Sequence, residues 1–349
     1  MPKLATRAAA GLAWGLAWGL TGLLVLGVPP ALAESTLAMV KARGRLLCGI
    51  NGQLPGFSVQ DDRKEWVGFE IDYCRAVAAA VLGDGSKVGF VPLIPAKRFD
   101  ALRDGSIDVL MRNTTASLER TAGTGVRDAT VIYVDAQSVV VPKTLNVKEL
   151  AELDGKTVCT LRGTPYLPRL QEWFAERKRT VVPMMFDTQQ EMYQAFYDGK
   201  CAAVTQDISA LASTVIASGR AYDYTMLPDI VARDPLAPYV RAREPEWLDV
   251  VRWTHFALLE AEEFGITQAN VDEQLRSPLP AVRRLLGVTP VNGKLLGLDE
   301  DWAYKAIKQV GNYAEIYERN VGKGSALKFA RGVNALWSRG GVMYPLPMQ

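Results

Sequence analysis

Four polar side chains closely follow a predicted strand. A short apolar run at 106–110 indicates a buried strand, and after it come Asn113, Thr115, Ser117 and Arg120. The planar guanidinium of Arg120 matches a carboxylate in shape and charge, and the two hydroxyl groups supply further donors. The same pattern also fits a helix N-cap followed by a surface arginine, because Ser and Thr are common caps.

An acidic residue ends a predicted strand in the second half of the chain. Asp207 follows the run at 201–205, and Gly163-Thr164 end a neighbouring predicted strand. A cation on one rim of a cleft facing an anion on the other fits a zwitterion such as an α-amino acid, with its carboxylate at Arg120 and its ammonium at Asp207. Asp207 fits equally well as the N-cap of a helix at 208–217, and both roles can hold together.

Other kinds of chemistry find little support in the sequence. The single histidine, His255, excludes a multi-histidine metal site, and its place within an amphipathic helix at 245–263 predicts a structural role. There is no phosphate-binding loop and no dinucleotide-binding glycine pattern. With a net charge of +2 and scattered basic residues, the chain is not expected to bind nucleic acid. We predict no metal and no cofactor.

The polar residues must be positioned by alternating strands and helices, which predict βαβ units in mostly parallel sheets. Ligands of such sheets lie at the carboxyl ends of strands, where Asn51 and residues 113–117 are placed. The first cycle is predicted as helix 36–45, strand 46–51, helix 70–82, strand 87–92, helix 97–103 and strand 107–112. The second is predicted as strand 157–161, a helix through 174 with Thr164 as N-cap, strand 181–186, helix 189–197, strand 201–205 and helix 208–217.

Two segments are predicted to connect a pair of lobes. The β-branched run at 131–141 indicates a long strand that leaves the first lobe, and 235–241 indicates the return. Hinge strands near 139–141 and 236–240 would allow the lobes to close around a ligand. The predicted division is lobe one at 34–138 and 239–290, lobe two at 139–238 with hinge strands at both ends, and a C-terminal helical extension at 291–349.

The C-terminal extension exceeds what two lobes need. We predict a helix from Asp299 or Asp301 through Glu318 and a second helix from Ser325 to about Trp337. These helices are expected to pack on the outside of lobe one, with a dedicated partner surface as the alternative.

The N-terminus has the features of an export signal. Lys3 and Arg7 precede an apolar run at 11–28, and Ala31-Leu32-Ala33 fits a cleavage site. An uncleaved membrane anchor is the alternative, but Pro29-Pro30 favours cleavage after residue 33. No cysteine follows the site for a lipid anchor, so we predict a soluble periplasmic protein.

Four cysteines in an exported chain predict disulfide bonds rather than free thiols. Three pairings are possible. Cys48 with Cys74 and Cys159 with Cys201 is favoured, because each bond then stays within one predicted lobe.

Several runs resemble the periplasmic solute-binding proteins for polar amino acids. They are Gly68-Phe-Glu-Ile-Asp72, the stretch from Arg98 to Val109, Thr115-x-Ser117-x-x-Arg120 and Gly163-Thr164. Longer runs resemble the general L-amino acid-binding proteins of ABC importers, namely residues 72–81, Arg112-Asn-Thr-Thr115, residues 263–273, residues 310–316 and residues 332–337.

The resemblance implies a type II periplasmic-binding-protein fold in which a monomer captures an L-amino acid and delivers it to ABC transporter permease subunits without catalysis. Arg120 would bind the α-carboxylate with donors from Thr115 and Ser117. Asp207 would bind the α-ammonium, which the Asn113 carbonyl could share, and Thr164 would reach the carboxylate from lobe two. This implied set of ligand-binding residues is Asn113, Thr115, Ser117, Arg120, Thr164 and Asp207.

One residue beside the expected site departs from the family pattern, and the sequence leaves two alternative functions possible. Pro165 has no N–H to offer where relatives often have one. An enzyme on the same scaffold, such as a cyclohexadienyl dehydratase acting on prephenate-like substrates, would need a general acid or base in the cleft. Leu161 and Gln206, beside the expected site, do not ionise. A ligand-sensing module that docks on a receptor is the other alternative.

Overall fold

The computed structural model describes residues 35–348. The predicted signal peptide at 1–33 lies outside them. Within the described part of the chain, no helix combines the length and apolar character needed to cross a membrane.

Thirteen strands and thirteen α-helices form in the described residues. The strands are β1 (Leu46–Ile50), β2 (Val59–Gln60), β3 (Trp66–Val67), β4 (Val88–Pro92), β5 (Val109–Leu110), β6 (Val126–Asp128), β7 (Tyr133–Pro142), β8 (Thr157–Leu161), β9 (Val182–Phe186), β10 (Ala203–Asp207), β11 (Tyr224–Met226), β12 (Ala232–Leu236) and β13 (Tyr239–Arg241). The helices are α1 (Thr36–Arg43), α2 (Phe69–Leu82), α3 (Arg98–Arg103), α4 (Leu118–Gly123), α5 (Tyr166–Ala175), α6 (Gln189–Tyr197), α7 (Ile208–Ala217), α8 (Pro245–Glu263), α9 (Val271–Gln274), α10 (Pro280–Leu285), α11 (Asn292–Leu295), α12 (Trp302–Val310) and α13 (Tyr313–Asn320).

The strands assemble into two main sheets with related topology. Lobe one has the order β4-β1-β5-β13-β6, in which β1 is parallel to β4 and β5 while β13 is antiparallel to its neighbours. Lobe two has the order β9-β8-β10-β7-β11, in which β8 is parallel to β9 and β10 while β7 is antiparallel. In both sheets the parallel strands therefore end at one edge, which is the edge predicted to hold a ligand.

The hinge is an antiparallel strand pair. β7 and β12 are in register from Tyr133 opposite Leu236 to Gln137 opposite Ala232. The sequence predicted that the chain passes between the lobes at 139–141 and 236–240. Both predicted segments are displaced by a few residues toward the C-terminus relative to the strand pair in the structure. Residues 139–141 instead pair inside the second sheet, because this wholly β-branched run suits a buried central strand, and Tyr239 already pairs in the first sheet.

Each lobe has its own core and its own disulfide bond. The favoured pairing is confirmed, since Cys48 bonds to Cys74 between β1 and α2, and Cys159 bonds to Cys201 beside β8. The helix α2 is almost wholly buried, which explains its run of small apolar residues. Each disulfide bond thus links a strand to a neighbouring segment of the same lobe.

The C-terminal extension differs from its prediction in two ways. The expected continuous helix through Glu318 is two helices, because Gly311 takes a φ of 86° and Asn312 caps α13 through its side chain. The expected helix from Ser325 to Trp337 is absent from the described structure, where positive φ values at Lys328 and Gly332 interrupt helical geometry. Within the described structure, α12 and α13 pack against α2 and α8.

The extension also reaches the hinge. The Asn334 side chain accepts a hydrogen bond from the Val134 N–H at 2.7 Å and donates one to the Val134 carbonyl at 2.9 Å, as a neighbouring strand would. Tyr313 donates to the Ile132 carbonyl at 3.0 Å, and Tyr317 stacks on Tyr133 with ring centroids 6.0 Å apart. The backbone N–H and carbonyl groups on the outer edge of β7 therefore have hydrogen-bond partners where this strand leaves lobe one.

We expect Asn334→Ala to lower the free energy of unfolding by about 1–3 kcal/mol, because the N–H and carbonyl of Val134 lose their partner. Urea denaturation measures the change. Ser338→Ala, at an exposed position in the same segment, is the matched control. Equal effects of the two substitutions would show that the hinge contact adds nothing to stability.

Candidate functional site

A cavity lies between the lobes at the carboxyl ends of strands β1, β5, β8 and β10. In this closed arrangement its volume is about 10 Å³. Lobe one contributes Asn51, Pro95, Arg98, Arg112, Asn113, Thr115 and Arg120, and lobe two contributes Leu161, Thr164, Pro165, Tyr166 and Gln206. Four of the six predicted ligand-binding residues line it: Asn113, Thr115, Arg120 and Thr164.

Arg120 is fixed by the first turn of α4. Ser117 caps this helix by accepting the Arg120 N–H at 3.4 Å, so its hydroxyl is engaged locally and Ser117 is not among the lining residues. The guanidinium donates from Nη1 to the Thr115 carbonyl at 2.9 Å and lies 5.8 Å from the Phe99 ring centroid. Burial lowers the pKa of Arg120, but guanidinium groups stay charged at neutral pH.

Two further arginines lie beside Arg120. Arg98 and Arg112 are only 2% and 5% exposed, and burial lowers the pKa of both, that of Arg112 to about 10. Arg98 donates from Nη2 to the Gly163 carbonyl of lobe two at 3.3 Å, and its Nε has no partner among the described residues. Within the described chain, none of the three guanidiniums lies within 4 Å of a carboxylate oxygen. The cavity therefore carries an excess of positive charge.

Asp207, at the end of β10 and the start of α7, is not among the residues that line the cavity, but it is bonded to one of them, Asn113. It is fully buried, its Oδ2 accepts a hydrogen bond from Asn113 Nδ2 at 3.3 Å, and its Oδ1 accepts none from the described residues. Its side chain does not cap α7. Burial, and then the negative charges of Asp234 and Asp135, raise the pKa of Asp207 well above its usual range. A cationic group beside Asp207 would relieve this cost of burial.

The hinge strands bring two more carboxylates behind Asp207. Asp234 on β12 accepts hydrogen bonds from Thr115 Oγ1, at 2.8 Å, and from Arg169. Burial raises the pKa of Asp135, which lies opposite Asp234 on β7, to about 6. Thr115 thus lines the cavity while its hydroxyl is already bonded to the hinge.

Asn113 connects the two lobes. Its φ of 25° is a conformation that asparagine tolerates better than most residues. Its backbone N–H donates to the buried Glu70 carboxylate, and its side-chain oxygen accepts from Asn51 Nδ2 at 3.0 Å. This leaves its amide nitrogen directed at Asp207.

Thr164 lies at the cavity wall, but not as the helix cap that the sequence predicted. The helix α5 begins at Tyr166, with Pro165 in the cap position and no side-chain capping bond. The Thr164 hydroxyl donates instead to the Leu161 carbonyl at 2.7 Å, because the turn at Gly163 brings the two together.

The lobes are in a closed arrangement. Gly163 has a φ of 71°, and a Cβ built on it would lie 2.9 Å from the Ala96 backbone of lobe one. Gln189 of lobe two donates to the Gln53 carbonyl of lobe one at 3.2 Å. Only glycine at position 163 permits this close approach.

Sequence reasoning missed Arg98, Arg112 and Tyr166 as parts of the site. Arg98 begins a short charged helix, which is typical of a solvated face, and no local pattern reveals that Pro95 and lobe two bury it. His255 is as predicted a core residue, since it is buried and its Nδ1 is 2.8 Å from the Tyr73 hydroxyl.

Residues 46–323 match the bacterial extracellular solute-binding proteins, family 3. The chain belongs to this family. Over 331 residues, which are 94% of this chain and 97% of the relative, it is 44% identical to the general L-amino acid-binding periplasmic protein AapJ of Rhizobium johnstonii. It is 43% identical over 323 residues to the glutamate/glutamine/aspartate/asparagine-binding protein BztA of Rhodobacter capsulatus, with 92% of this chain and 96% of BztA covered.

A solved family member has the same fold over nearly its whole length. It is an ABC transporter periplasmic binding protein from Brucella ovis with glutathione bound. Its structure superposes on this chain with a TM-score of 0.88, and the two sequences are 43% identical. The similarity covers 90% of this chain and 100% of that one. The two-lobe α/β architecture with its C-terminal extension is thus a property that this solute-binding protein shares with close relatives.

Glu70 is expected to contribute stability to this family 3 protein that is lost as the pH rises. Burial raises the pKa of Glu70 from 4.5 to about 7, against the opposing effects of the Asn113 N–H and the Arg112 charge. The folded protein therefore holds this proton more tightly than the unfolded chain. The resulting stabilisation is complete below pH 4.5 and is lost as the pH rises to 7 and beyond.

We expect Glu70→Gln to remove up to about 3 kcal/mol of the difference in unfolding free energy between pH 5 and pH 8. Denaturant titrations at the two pH values measure it. Glu65→Gln, at an exposed position, should leave the difference unchanged. An unaltered pH dependence in Glu70→Gln would mean that Glu70 is ionised throughout this range.

Proposed function

We propose that the protein captures an L-amino acid, preferably an acidic one, between its closing lobes and delivers it to the permease of an ABC importer. The observation that carries this proposal is a cavity lined by Arg120 and Asn113, in which the Asn113 amide bonds to Asp207, a buried carboxylate with one oxygen that accepts no hydrogen bond from the described residues. AapJ and BztA are both named as amino-acid-binding proteins, which supports the ligand class.

The α-carboxylate of the ligand is assigned to Arg120 and the α-ammonium to Asp207. A guanidinium offers a carboxylate two parallel hydrogen bonds, which gives orientation as well as affinity. Asp207 has a free acceptor, Oδ1, for an ammonium. Asn113, Thr115 and Thr164 are assigned to the wall around this head group, and Ser117 acts through the helix turn that positions Arg120.

The side chain of the ligand is assigned to the neighbourhood of Arg98 and Arg112. Two buried guanidiniums without carboxylate partners favour a second anionic or carbonyl group over an apolar side chain. BztA, as named, binds glutamate and aspartate with their amides. The glutathione of the Brucella ovis protein contains a glutamyl residue with free α-amino and α-carboxyl groups, so it presents the same head group.

The protein is proposed to act in the periplasm as a monomer after removal of residues 1–33. The lobe boundaries at 138/139 and 238/239 are retained as predictions. Of the two paired hinge segments, 133–137 precedes the predicted lobe two and 232–236 falls at its C-terminal end. We propose that no reaction is catalysed in the cleft, where Leu161 and Gln206 remain non-ionisable neighbours. Turnover of prephenate or arogenate would contradict this.

Calorimetry of the ligand-stripped protein against a panel of L-amino acids tests the proposal. We expect Arg120→Ala to weaken binding at least about 100-fold, because the ligand carboxylate loses a charged partner worth about 3 kcal/mol. Arg127→Ala removes an exposed guanidinium from the same lobe and should bind normally. Failure of the unmodified protein to bind any amino acid would refute the proposed function.

Arg98→Met is expected to change ligand preference. Glutamate affinity should fall by about 10–100-fold and glutamine affinity by clearly less, because only glutamate loses a partner of opposite charge, an interaction of about 1.5–3 kcal/mol. Competition calorimetry with both ligands measures the ratio. The control is Arg103→Met, an exposed arginine of the same helix. Equal losses for glutamate and glutamine would place the ligand side chain elsewhere.

A further inference from the structure

A cavity outside the cleft lies between α8, α10 and the end of the C-terminal extension. Its volume is about 260 Å³, close to the lower end of the range of about 300–1,000 Å³ that is usual for small-molecule sites. None of its lining residues lines the cavity between the lobes. Much of its wall is apolar and consists of Phe264, Ala281, Pro345, Leu346, Pro347 and Met348. This space, the extension cavity, is therefore separate from the cleft.

Glu260 of α8 brings an unpaired carboxylate to the extension cavity. The residue lines the cavity, is only 7% exposed, and has a buried Oε2 that accepts no hydrogen bond from the described residues. Within the described chain no cationic nitrogen lies within 4 Å of this carboxylate, whereas the adjacent Glu262 pairs with Arg331. A buried carboxylate without a partner is costly, so a cation in the cavity would be favourable.

The charged groups that face Glu260 leave the cavity with an excess of negative charge. Glu263 lies one turn further along α8, and Arg284 of α10 donates from Nε to the Met348 carbonyl at 3.2 Å. The part of the extension that lines the cavity carries no charged side chain. Burial, and then the charge of Glu263, raise the pKa of Glu260 from 4.5 to about 7, against the opposing charge of Arg284. Two carboxylates and one guanidinium thus favour a cationic ligand.

An aromatic pair forms the outer wall of the extension cavity. The ring centroids of Trp337 and Tyr344 are 5.3 Å apart, and both side chains are about half exposed. The backbone N–H of Trp337 donates to the Met343 carbonyl at 2.9 Å, and its indole Nε1 donates to Glu263 Oε1 at 3.0 Å. Aromatic faces attract organic cations. Among the described residues no three carboxylate, imidazole or thiol groups are gathered as ligands of a metal ion would be. An organic cation therefore fits this wall better than a metal ion.

We propose that the extension cavity binds a small primary amine in its ammonium form. The ammonium is assigned to Glu260, and the hydrocarbon portion is assigned to the wall that includes Trp337 and Tyr344. A primary ammonium is favoured over a quaternary one, because only N–H groups donate hydrogen bonds to a carboxylate. The inference goes beyond the proposed function and does not rest on it, because the two cavities have no lining residue in common.

Calorimetry of the full chain with 2-phenylethylammonium as the probe tests the inference. We expect binding to be about tenfold tighter at pH 8 than at pH 6, because the ionised fraction of Glu260 rises across a pKa of about 7 while the amine stays protonated. The uncharged analogue 2-phenylethanol should bind at least tenfold more weakly than the amine at pH 8. Saturating L-glutamate should not compete with the amine.

Glu260→Gln should weaken binding of the amine at pH 8 at least tenfold and remove the pH dependence, because the carboxylate is lost. Glu246→Gln, at an exposed position in the first turn of the same helix, is the matched control and should bind the amine normally. Tyr344→Ala keeps the test valid if Glu260→Gln fails to fold, since this residue is 55% exposed. It should weaken the amine about threefold and retain the pH dependence.

Four results would overturn the inference. They are no binding of the amine to the unmodified protein, equal binding of 2-phenylethanol, unchanged amine affinity in Glu260→Gln, and competition by L-glutamate, which would place the amine in the cleft. The proposed function would stand in each case, because it is tested by the binding of amino acids alone.

Discussion

The site depends on an imbalance of buried charge. Arg98, Arg112 and Arg120 converge on a small closed space, while Asp207, which is bonded to Asn113 in the wall of that space, has an acceptor with no donor among the described residues. Burial of charges is unfavourable unless they are paired. A ligand with an ammonium at one end and carboxylates at the others would neutralise both sides at once. Such a ligand would thereby favour the closed arrangement of the lobes, in which these charges are buried.

Sheet topology explains why these charges converge. In each lobe the parallel strands end at the cleft, so polar residues that follow β1, β5, β8 and β10 face one another across it. The antiparallel strands serve a different purpose. β7 pairs with β12 at the hinge and then continues into the second sheet, and β13 follows β12 directly into the first. The hinge is thus a continuation of both sheets and brings Asp135 and Asp234 close behind Asp207.

Local signals predicted most of the fold. The bounds of α6, α7 and α8 agree with the predictions, since Thr188, Asp207 and Pro245 mark their starts. Where prediction failed, the deciding contacts were distant in sequence. Arg98 became a site residue only through burial by lobe two, and the segment after Ser325 is shaped by contacts of Asn334 with β7 instead of by its own helical periodicity. Arg120 was proposed as a site residue because it follows the end of β5 within a short polar stretch, and Asp207 because it ends a strand; both assignments remain predictions.

The position of the C-terminal extension bears on how the lobes move. Its helices pack on α2 and α8 of lobe one, and Asn334 and Tyr313 bond to the chain at the point where β7 leaves that lobe. These contacts enlarge the body of lobe one and hold the start of the hinge strand to it. Between these contacts and the second sheet, β7 has only its short pairing with β12 from Tyr133 to Gln137 in which to bend. A hinge that is short and fixed at one end would restrict the path along which the lobes close, and would so return Asp207 to the same place opposite the three arginines.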